Sequence, residues 1–523
     1  MSVLTNIVRL VRTGATFERT GAMDIALEAM EAPPALRFAA RVVGLPFRWL
    51  GLRGDPALPP VVRALTALGP AYIKFGQLLS TRPDVAGEEL ARQLRVLQDR
   101  LPPFPEGEAR ELIARELGAP VDALFTSFSA PVAAASIAQV HKATLAESGA
   151  EVAVKVLRPG IARAFRRDID AFFFVARAIE WLAPAARRLK PTEVVHHFAS
   201  VVRGELDFRM EAAAAAEFAA NATEDPGFRV PGVLWPLSSQ RVLTTEWVNG
   251  INLGEIEALH EAGVDFRATG ALIIQTFLNH ALRDGFFHGD MHQGNLKIGP
   301  DGALIAFDFG IMGRIDAYTR RVYAEILYGF LRQNYRRVAE VHFEAGYVPA
   351  DRDVDEFAQA LRAIGAPIFG QDASRISMGR LLAHLFDVTE RFGMETRTEL
   401  LLLQRTMVVV EGVSRSLDPN INMWEVAQPI VGRYIRDNIG PAATLRDLAR
   451  TVGVLSRFGP RLPHLAEAAL MRATQEPVQE PSRRREQLIL WALMGVVAGI
   501  GVVAGAALAA LGLWLLSVFI PPV

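Results

Sequence analysis

Helical periodicity dominates the first part of the chain. Over residues 1–60 the apolar positions have the spacing of amphipathic helices, and GDPALPP at 54–60 interrupts them. A second helical stretch ends at the prolines of LPPFP, because proline cannot continue a helix. Runs typical of β-strands, such as EVAVKVL and QRVLTTEWV, then alternate with helical segments, and helices return after about residue 250. The pattern predicts an α+β fold.

These changes of pattern divide the chain into six predicted regions. They are an N-terminal helical region (1–60), a helical extension (61–105), a lobe that mixes strands and helices (106–250), a helical lobe (251–475), a polar linker (476–487) and a membrane segment (488–520).

The membrane segment is predicted from its lack of charge. After Glu486 no Asp, Glu, Lys, Arg or His occurs up to Val523, and residues 488–520 exceed the ~20 residues that one crossing needs. One long tilted helix and a tight pair of short spans both fit. The arginines of SRRRE, just before this segment, indicate that the preceding domain faces the cytoplasm. The simpler alternative is that they form a solvated run of charges.

Composition excludes several classes of protein. The 523 residues include 50% hydrophobic residues, enough for a large core, and the formal net charge of −1 gives no indication of nucleic acid binding. Cysteine is absent, which excludes disulfides and thiolate metal sites and fits a reducing compartment.

Candidate chemistry begins at PVAAASIAQVH, residues 131–141. Protein kinases cover the phosphates of ATP with a G-x-G-x-x-G-x-V loop that precedes a lysine in V-A-I-K. Here the lysine is Lys155, at the end of EVAVK. The three glycine positions and the valine position are occupied by Ala133, Ala135, Ala138 and Val140, and Ala134 and Ser136 lie between them. The stretch therefore resembles a nucleotide loop that has alanines in place of glycines.

A catalytic loop and a metal site follow in the order found in kinases. FFHGDMHQGNL contains His288, Asp290 and Asn295 at the H-x-D-x-x-x-x-N spacing, and Asp308 then begins D-F-G after an apolar strand. In phosphoryl transfer Asp308 would bind Mg²⁺, Asn295 would complete a second metal position, and Asp290 would orient the attacking hydroxyl or water. TTEWVNG, with Glu246 and Val248, is predicted to be a hinge whose backbone binds adenine; an ordinary strand end is the alternative.

A carboxylate partner for Lys155 is expected on a later helix. The candidates in VVRGELDFRMEAAAAAEF are Glu205, Asp207, Glu211 and Glu217. They follow Lys155 by more residues than in an ordinary protein kinase, so extra helices must be inserted between. Four residues separate Asp207 from Glu211, which places both on one helix face, whereas Glu205 points elsewhere.

An earlier helix, GPAYIKFGQLLSTRPDV, has no counterpart in a standard kinase. Proline in its first turn is tolerated, and Lys74 and Gln77 lie on one polar stripe. Gly76 costs the helix about 1 kcal/mol relative to alanine, so a close approach of another backbone is expected there. A solvated polar face is the alternative for the stripe.

Together these residues resemble the UbiB family of atypical kinases, which is linked to ubiquinone biosynthesis. KFGQ, AAASIAQVH, VAVK, ELD, HGDMHQGN and DFG match its motifs between about residues 60 and 420. The resemblance implies a bilobal protein-kinase-like fold with an N-terminal helical extension, binding of ATP or ADP with Mg²⁺, and ATPase activity. It also implies that Lys74 and Gln77 approach Glu205 and Asp207, which leaves Glu211 as the partner of Lys155.

The catalytic loop departs from the family pattern, which is close to H-A-D-P-H-P-G-N. Gly289, Met291 and Gln293 replace the alanine and both prolines. We expect the loop to be less preorganised as a result. The three alanines of the nucleotide loop are expected to make that loop stiffer and more helical than a glycine loop.

Three classes of function follow from the resemblance and the motifs. The first is an ATPase or small-molecule kinase, anchored in the bacterial inner membrane with its catalytic domain in the cytoplasm, that gives biosynthetic enzymes access to quinone-lipid precursors. The second is a protein kinase or an aminoglycoside-type phosphotransferase, and the third is a nucleotide-binding scaffold for other enzymes of ubiquinone biosynthesis. Nucleotide, membrane lipid, quinone precursors and those enzymes are the expected partners, and a homodimer is left open.

Overall fold

The structure is a computed structural model of the chain. It describes residues 3–29, 45–80, 88–94, 97, 103–135, 137–182, 191–369, 388, 391–394 and 398–439. Within these ranges no helix has both the length and the apolar character that a membrane crossing requires. The membrane segment expected at 488–520 lies outside the described residues and stays a prediction.

Helices form the N-terminal part of the structure. They are α1 (Val3–Thr20), α2 (Ala22–Ala29), a 3-10 helix (Leu45–Leu50), α3 (Pro60–Leu68), α4 (Pro70–Ser80) and α5 (Glu88–Leu94). Proline is the first residue of both α3 and α4, a position where its missing N–H is not needed. Val62, Leu65, Tyr72 and Leu94 belong to the buried cluster that joins these helices.

Gly76 of α4 lies against side chains rather than against another backbone. A Cβ atom at this position would clash with Leu97 Cδ1 and would lie 2.6 Å from Leu65 Cδ1. The expectation of a close backbone contact was therefore wrong. The glycine instead makes room for two leucines of the helical core.

A four-stranded antiparallel sheet follows. The two helices α6 (Glu106–Leu117) and α7 (Val121–Leu124) precede it, and its strands are β1 (Phe125–Ala134), β2 (Ala138–Leu145), β3 (Glu151–Leu157) and β5 (Val242–Glu246). Their order in the sheet is β1-β2-β3-β5. Leu112 and Ile113 of α6 pack on Val152, Val154 and Val156 of β3, so one face of the sheet is covered.

Helices are inserted between β3 and the rest of the sheet, as the long spacing after Lys155 requires. They are α8 (Ile161–Leu182), α9 (Pro191–Glu205) and α10 (Phe208–Asn221). A shared apolar cluster contains Phe165 of α8, Phe198 of α9, Phe208 of α10 and Ala138 at the start of β2. The cluster places α10 beneath the strand that carries Lys155.

The second lobe is mostly helical around small sheets. Strands β4 (Phe228–Arg229), β6 (Ile251–Asn252), β8 (Leu296–Ile298) and β9 (Leu304–Ala306) form one sheet, and β7 (Phe286–His288) pairs with β10 (Met312–Arg314). The helices are α11 (Ile256–Glu261), α12 (Phe266–Asn279), a π-helix (His280–Asp284), a 3-10 turn (Gln293–Asn295), α13 (Ala317–Leu331), α14 (Tyr335–Glu344), α15 (Val354–Phe369), α16 (Thr398–Leu417) and α17 (Met423–Asn438). Among the residues that the structure describes, the largest apolar cluster lies here. It surrounds the two strand ends from which His288 and the D-F-G segment emerge.

Candidate active site

Three charged side chains meet between the two lobes. Lys155 Nζ on β3 lies 2.6 Å from Glu211 Oε1 in the first turn of α10 and 3.5 Å from Asp308 Oδ2. The Glu211 side chain is only 11% exposed, whereas that of Asp308 is 43% exposed and is accessible to a ligand. The structure thus gives Lys155 the partner that the family resemblance implies, and joins it to the D-F-G aspartate.

The charges in this group stabilise one another. Burial would lower the pKa of Lys155, but the carboxylates of Asp308 and Glu211 raise that pKa above its ordinary value. Burial opposes ionisation of Asp308, yet Lys155 and the Gly310 N–H hold its pKa down at about 2. Burial and the nearby Asp308 carboxylate raise the pKa of Glu211, and Lys155 acts against them. At 2.6 Å the contact between Lys155 and Glu211 is a charge-assisted hydrogen bond between ionised groups.

His288 connects the catalytic loop to the D-F-G segment. Its Nδ1 accepts the Asp290 N–H at 3.0 Å, and its Nε2–H donates to the Asp308 carbonyl. Burial lowers the pKa of His288, which keeps the ring neutral, as this pattern of one donor and one acceptor requires. The His288 ring therefore connects the backbone at Asp290, the predicted base, to the backbone at Asp308, the predicted metal ligand.

Asn295 and His292 flank Asp290. Asn295 Nδ2 donates to the Asp290 carbonyl at 3.0 Å, which directs the amide oxygen away from that contact. His292 Nδ1 accepts the Gly294 N–H, and its Nε2 lies 3.5 Å from Asp290 Oδ2. His292 was not among the predicted site residues, although it is the second histidine of the family loop pattern.

The donor set fits Mg²⁺. Asp308 supplies an ionised, accessible carboxylate and Asn295 an amide oxygen, both of which are hard ligands. Among the described residues no group of three or more His, Asp or Glu side chains is arranged to hold a metal. A site of this kind suits Mg²⁺, which commonly takes one or two protein oxygens and completes its shell with phosphates and water.

The catalytic loop is held in place without its prolines. Met291 is 1% exposed and lies in the main core, and Gln293 Nε2 donates to Ser416 Oγ at 2.7 Å. The Gly289 N–H donates to the Ile311 carbonyl, and the Thr406 hydroxyl donates to the Gly289 carbonyl. Core packing and these hydrogen bonds anchor the loop, and the expectation that it is less preorganised than the family loop stays a prediction.

The alanine stretch lies where the antiparallel strands β1 and β2 meet at one end of the sheet. Ala133 of β1 pairs with Val140 of β2, Ala134 pairs with Gln139, and the Ala135 N–H donates to the Ala138 carbonyl at 2.8 Å. Ser136 lies outside the described residues. The expectation that the alanines make this loop more helical was wrong, since β-pairing continues up to Ala134 and resumes at Ala138.

Replacing one of these alanines tests whether it sets the phosphate geometry. In the Ala135→Gly variant the backbone gains access to φ > 0 and loses a Cβ, so its N–H groups can approach a terminal phosphate more closely. We expect the ratio of ATP to ADP affinity to rise severalfold, with more phosphorylation of the protein itself. Titration of both nucleotides with Mg²⁺ measures the ratio. Ala130→Gly, at an exposed position earlier in β1, is the matched control; an unchanged ratio at Ala135→Gly would contradict this role.

The predicted hinge leaves the sheet at β5. The Glu246 side chain accepts the Gly232 N–H at 3.0 Å, and its backbone N–H donates to the Gly232 carbonyl. The Val248 carbonyl accepts from Lys297 Nζ at 3.4 Å, so the segment that follows β5 is connected to β8. Adenine recognition by Glu246 and Val248 stays a prediction.

The KFGQ helix is α4, and its expected partners are Glu205 and Asp207. The described contacts connect it to Glu205 only. Lys74 Nζ lies 3.1 Å from Glu205 Oε1, and both side chains are largely buried. Asp207 instead caps α10, accepting the Arg209 N–H, and forms an ion pair with the Arg209 side chain. Gln77 Nε2 donates to the Leu97 carbonyl at 3.4 Å. As a capping residue Asp207 precedes the helix, so the expected shared helix face with Glu211 was wrong.

The Lys74 ion pair joins α4 to the end of α9. Removing it in Lys74→Ala should free the helix ends near Glu211, because Glu205 then loses a largely buried cation. We expect severalfold faster amide exchange in the loop 288–296 with nucleotide bound. Arg92→Ala, which removes an exposed pair with Glu89, is the control. Unchanged exchange in the loop would show that Lys74 does not restrict the site.

The site lies between two lobes and contains a lysine paired to a helix glutamate, the aspartate of D-F-G and an H-x-D loop. This combination defines a protein-kinase-like protein. Comparisons with known proteins agree. A profile described as the ABC1 atypical kinase-like domain matches residues 96–342, and one described as the UbiB helical domain matches residues 361–422. The solved complex of Rv3197 with erythromycin from Mycobacterium tuberculosis is similar in structure, with a TM-score of 0.50, 25% identity, and coverage of 68% of this chain and 90% of that chain.

Curated relatives narrow the class further. A probable protein kinase UbiB from Marinobacter nauticus is 39% identical over 80% of this chain and 78% of its own length. One from Azotobacter vinelandii is 38% identical over 87% of this chain and 85% of its own length. The chain belongs to the UbiB family of atypical kinase-like proteins, which confirms the resemblance drawn from the motifs.

Proposed function

We propose that this protein is an atypical kinase or ATPase that binds Mg-nucleotide and supports ubiquinone biosynthesis. The observation that carries the proposal is the joint arrangement of Lys155 with Glu211 and Asp308. A lysine held between two carboxylates is aligned to contact the α- and β-phosphates of ATP, while the exposed Asp308 carboxylate faces the metal position. The pathway assignment rests on the family.

The proposed chemistry is transfer of the γ-phosphoryl group of ATP to a hydroxyl or to water. The new P–O bond forms as the bond to the bridging oxygen of ADP breaks, and the proton of the nucleophile passes to Asp290. The hydrogen bonds of His288 and Asn295 to the loop hold Asp290 in position for this role. Mg²⁺, when bound, neutralises charge on the phosphates; Asp308 and Asn295 would hold it.

The role we propose for turnover is to help quinone-lipid precursors leave the bilayer and reach biosynthetic enzymes. ATP hydrolysis, measured with and without anionic liposomes and a phenolic quinone precursor, tests this role. We expect the liposomes and the precursor together to stimulate hydrolysis. Phosphate incorporated into the precursor would identify a small-molecule kinase, and phosphate incorporated into added proteins would identify a protein kinase. Nucleotide binding without turnover would indicate a scaffold.

We further propose that the protein is anchored in the bacterial inner membrane by residues 488–520. Deleting residues 487–523 should release it from membranes while nucleotide affinity stays within about twofold, because a polar linker precedes the segment. Membrane fractionation and nucleotide titration measure the two properties. Full membrane retention after the deletion would place the main anchor elsewhere in the chain.

A further inference from the structure

Helix α16 contacts the catalytic loop from a distant part of the chain. Thr406 is fully buried, and its hydroxyl lies 3.0 Å from the Gly289 carbonyl and 2.8 Å from the Leu402 carbonyl of its own helix. The Thr406 hydroxyl has one proton, which is therefore shared between the Leu402 carbonyl of its own helix and the carbonyl of Gly289, the residue before Asp290. A buried carbonyl that loses such a donor has no water to replace it.

The loop is fitted closely against this helix. A Cβ atom at Gly289 would lie 3.0 Å from Ile311 Cγ2, 3.1 Å from the Ile311 carbonyl oxygen and 3.3 Å from Leu402 Cδ1. These distances are shorter than ordinary van der Waals contacts, so an alanine would push Ile311 or Leu402 away. Glycine at this position lets the loop approach both α16 and the segment after D-F-G.

A second contact lies on the other side of Asp290. Gln293 Nε2 donates to Ser416 Oγ at 2.7 Å, and the Ser416 hydroxyl donates to the Val413 carbonyl at 2.7 Å. Gln293 is the first residue of the 3-10 turn that leads to Asn295. It also stands where the family pattern has the second proline. At this position the Gln293 side chain forms a hydrogen bond to Ser416, whereas a proline would restrict the backbone directly.

We propose that α16 positions the catalytic loop of this protein, with Thr406 and the Gln293 and Ser416 pair as positioning residues for Asp290. The inference rests on the proposed phosphoryl transfer. According to this proposal, the helical region that follows the kinase-like domain helps to hold Asp290 in position. Thr406 carries the larger share, since its contact is buried and that of Gln293 is exposed to water.

Thr406→Val tests the main contact because it removes the hydroxyl at nearly constant volume. We expect kcat for ATP hydrolysis to fall about five- to tenfold, the loss expected for one hydrogen bond, with KM for ATP unchanged. Thr406→Ser should recover most of kcat. The matched control is Ser414→Ala: Ser414 is also fully buried on α16, but its hydroxyl donates to the Gly270 carbonyl on α12, away from the loop.

Amide exchange gives a second readout that needs no turnover. Thr406→Val should speed exchange in residues 288–296, whereas Ser414→Ala should leave that loop unchanged even if both variants lose similar stability. Equal effects of the two variants on kcat or on loop exchange would overturn the proposal. Absence of hydrolysis by the unaltered protein would contradict the proposed function, and the exchange comparison would still decide the positioning role.

The hydrogen bond between Gln293 and Ser416 is tested by combining substitutions at these two residues. Gln293→Ala and Ser416→Ala should each lower kcat about two- to threefold, and the double variant should lose no more than either single variant, because both remove one hydrogen bond. Proline is tolerated at the first residue of a helical turn. In a Gln293→Pro background, Ser416→Ala should therefore have no effect on kcat. Additive losses in both tests would exclude a coupled pair.

Discussion

Asp308→Asn is expected to abolish Mg²⁺-dependent nucleotide hydrolysis, with a loss on the order of 10³-fold or more. The substitution keeps the volume and keeps an oxygen to accept the Gly310 N–H, but it removes the charge that would hold the metal. Circular dichroism and thermal unfolding should show an intact fold. Phosphate release measured against Mg²⁺ concentration checks the effect.

Asp301→Asn is the matched control for this variant. It makes the same chemical change at an exposed turn residue of the same lobe, so hydrolysis should stay within about twofold. Hydrolysis at the normal rate, with normal metal dependence, in Asp308→Asn would contradict the kinase-like assignment of the site.

Lys155→Met is expected to remove nucleotide hydrolysis and also to destabilise the protein. Without the ammonium group, Glu211 is left largely buried and unpaired, and Asp308 adds a like charge nearby. We expect a loss of about 2–4 kcal/mol in the free energy of unfolding at neutral pH, below the full penalty for a completely buried pair. Denaturant unfolding and phosphate release measure the two effects.

The stability loss should depend on pH in a predictable direction. In the variant, burial raises the pKa of Glu211 with no cation to oppose it, so the folded state takes up a proton more readily than the unfolded state. The loss in the free energy of unfolding is therefore largest at pH values well above the raised pKa of Glu211. It becomes smaller as the pH falls through that pKa. The double variant Lys155→Met with Glu211→Gln should recover stability at neutral pH but not hydrolysis. A pH-independent loss in the single variant would show that packing, not charge, is responsible.

The kinase-like part of the site could be predicted because its residues lie in short motifs at fixed spacing. The positions of Lys155, Asp290, Asn295 and Asp308 follow from the strands and loops that carry them. The choice of Glu211 as the partner of Lys155 needed the family resemblance, because four acidic residues were available. Asp207 shows why spacing was insufficient: it caps α10 rather than lying on it.

The contacts of α16 could not be predicted in this way. Thr406 lies 117 positions after Gly289, and nothing in its local sequence distinguishes a hydroxyl that bonds another segment from one that bonds its own helix. The burial of Met291 is likewise a property of the folded core. Both contacts follow from tertiary packing, which no local motif encodes.

The two buried ion pairs of α4 and β3 bear on the choice of inhibitors. Glu205 ends α9 and Glu211 lies in the first turn of α10, so the partners of Lys74 and Lys155 are one short stretch of backbone. Compounds that require Glu211 to swing away from Lys155 would have to break that ion pair and to move a stretch of backbone that Lys74 also holds through Glu205. Medicinal chemistry on this protein should accordingly begin with compounds that bind the lysine-paired form.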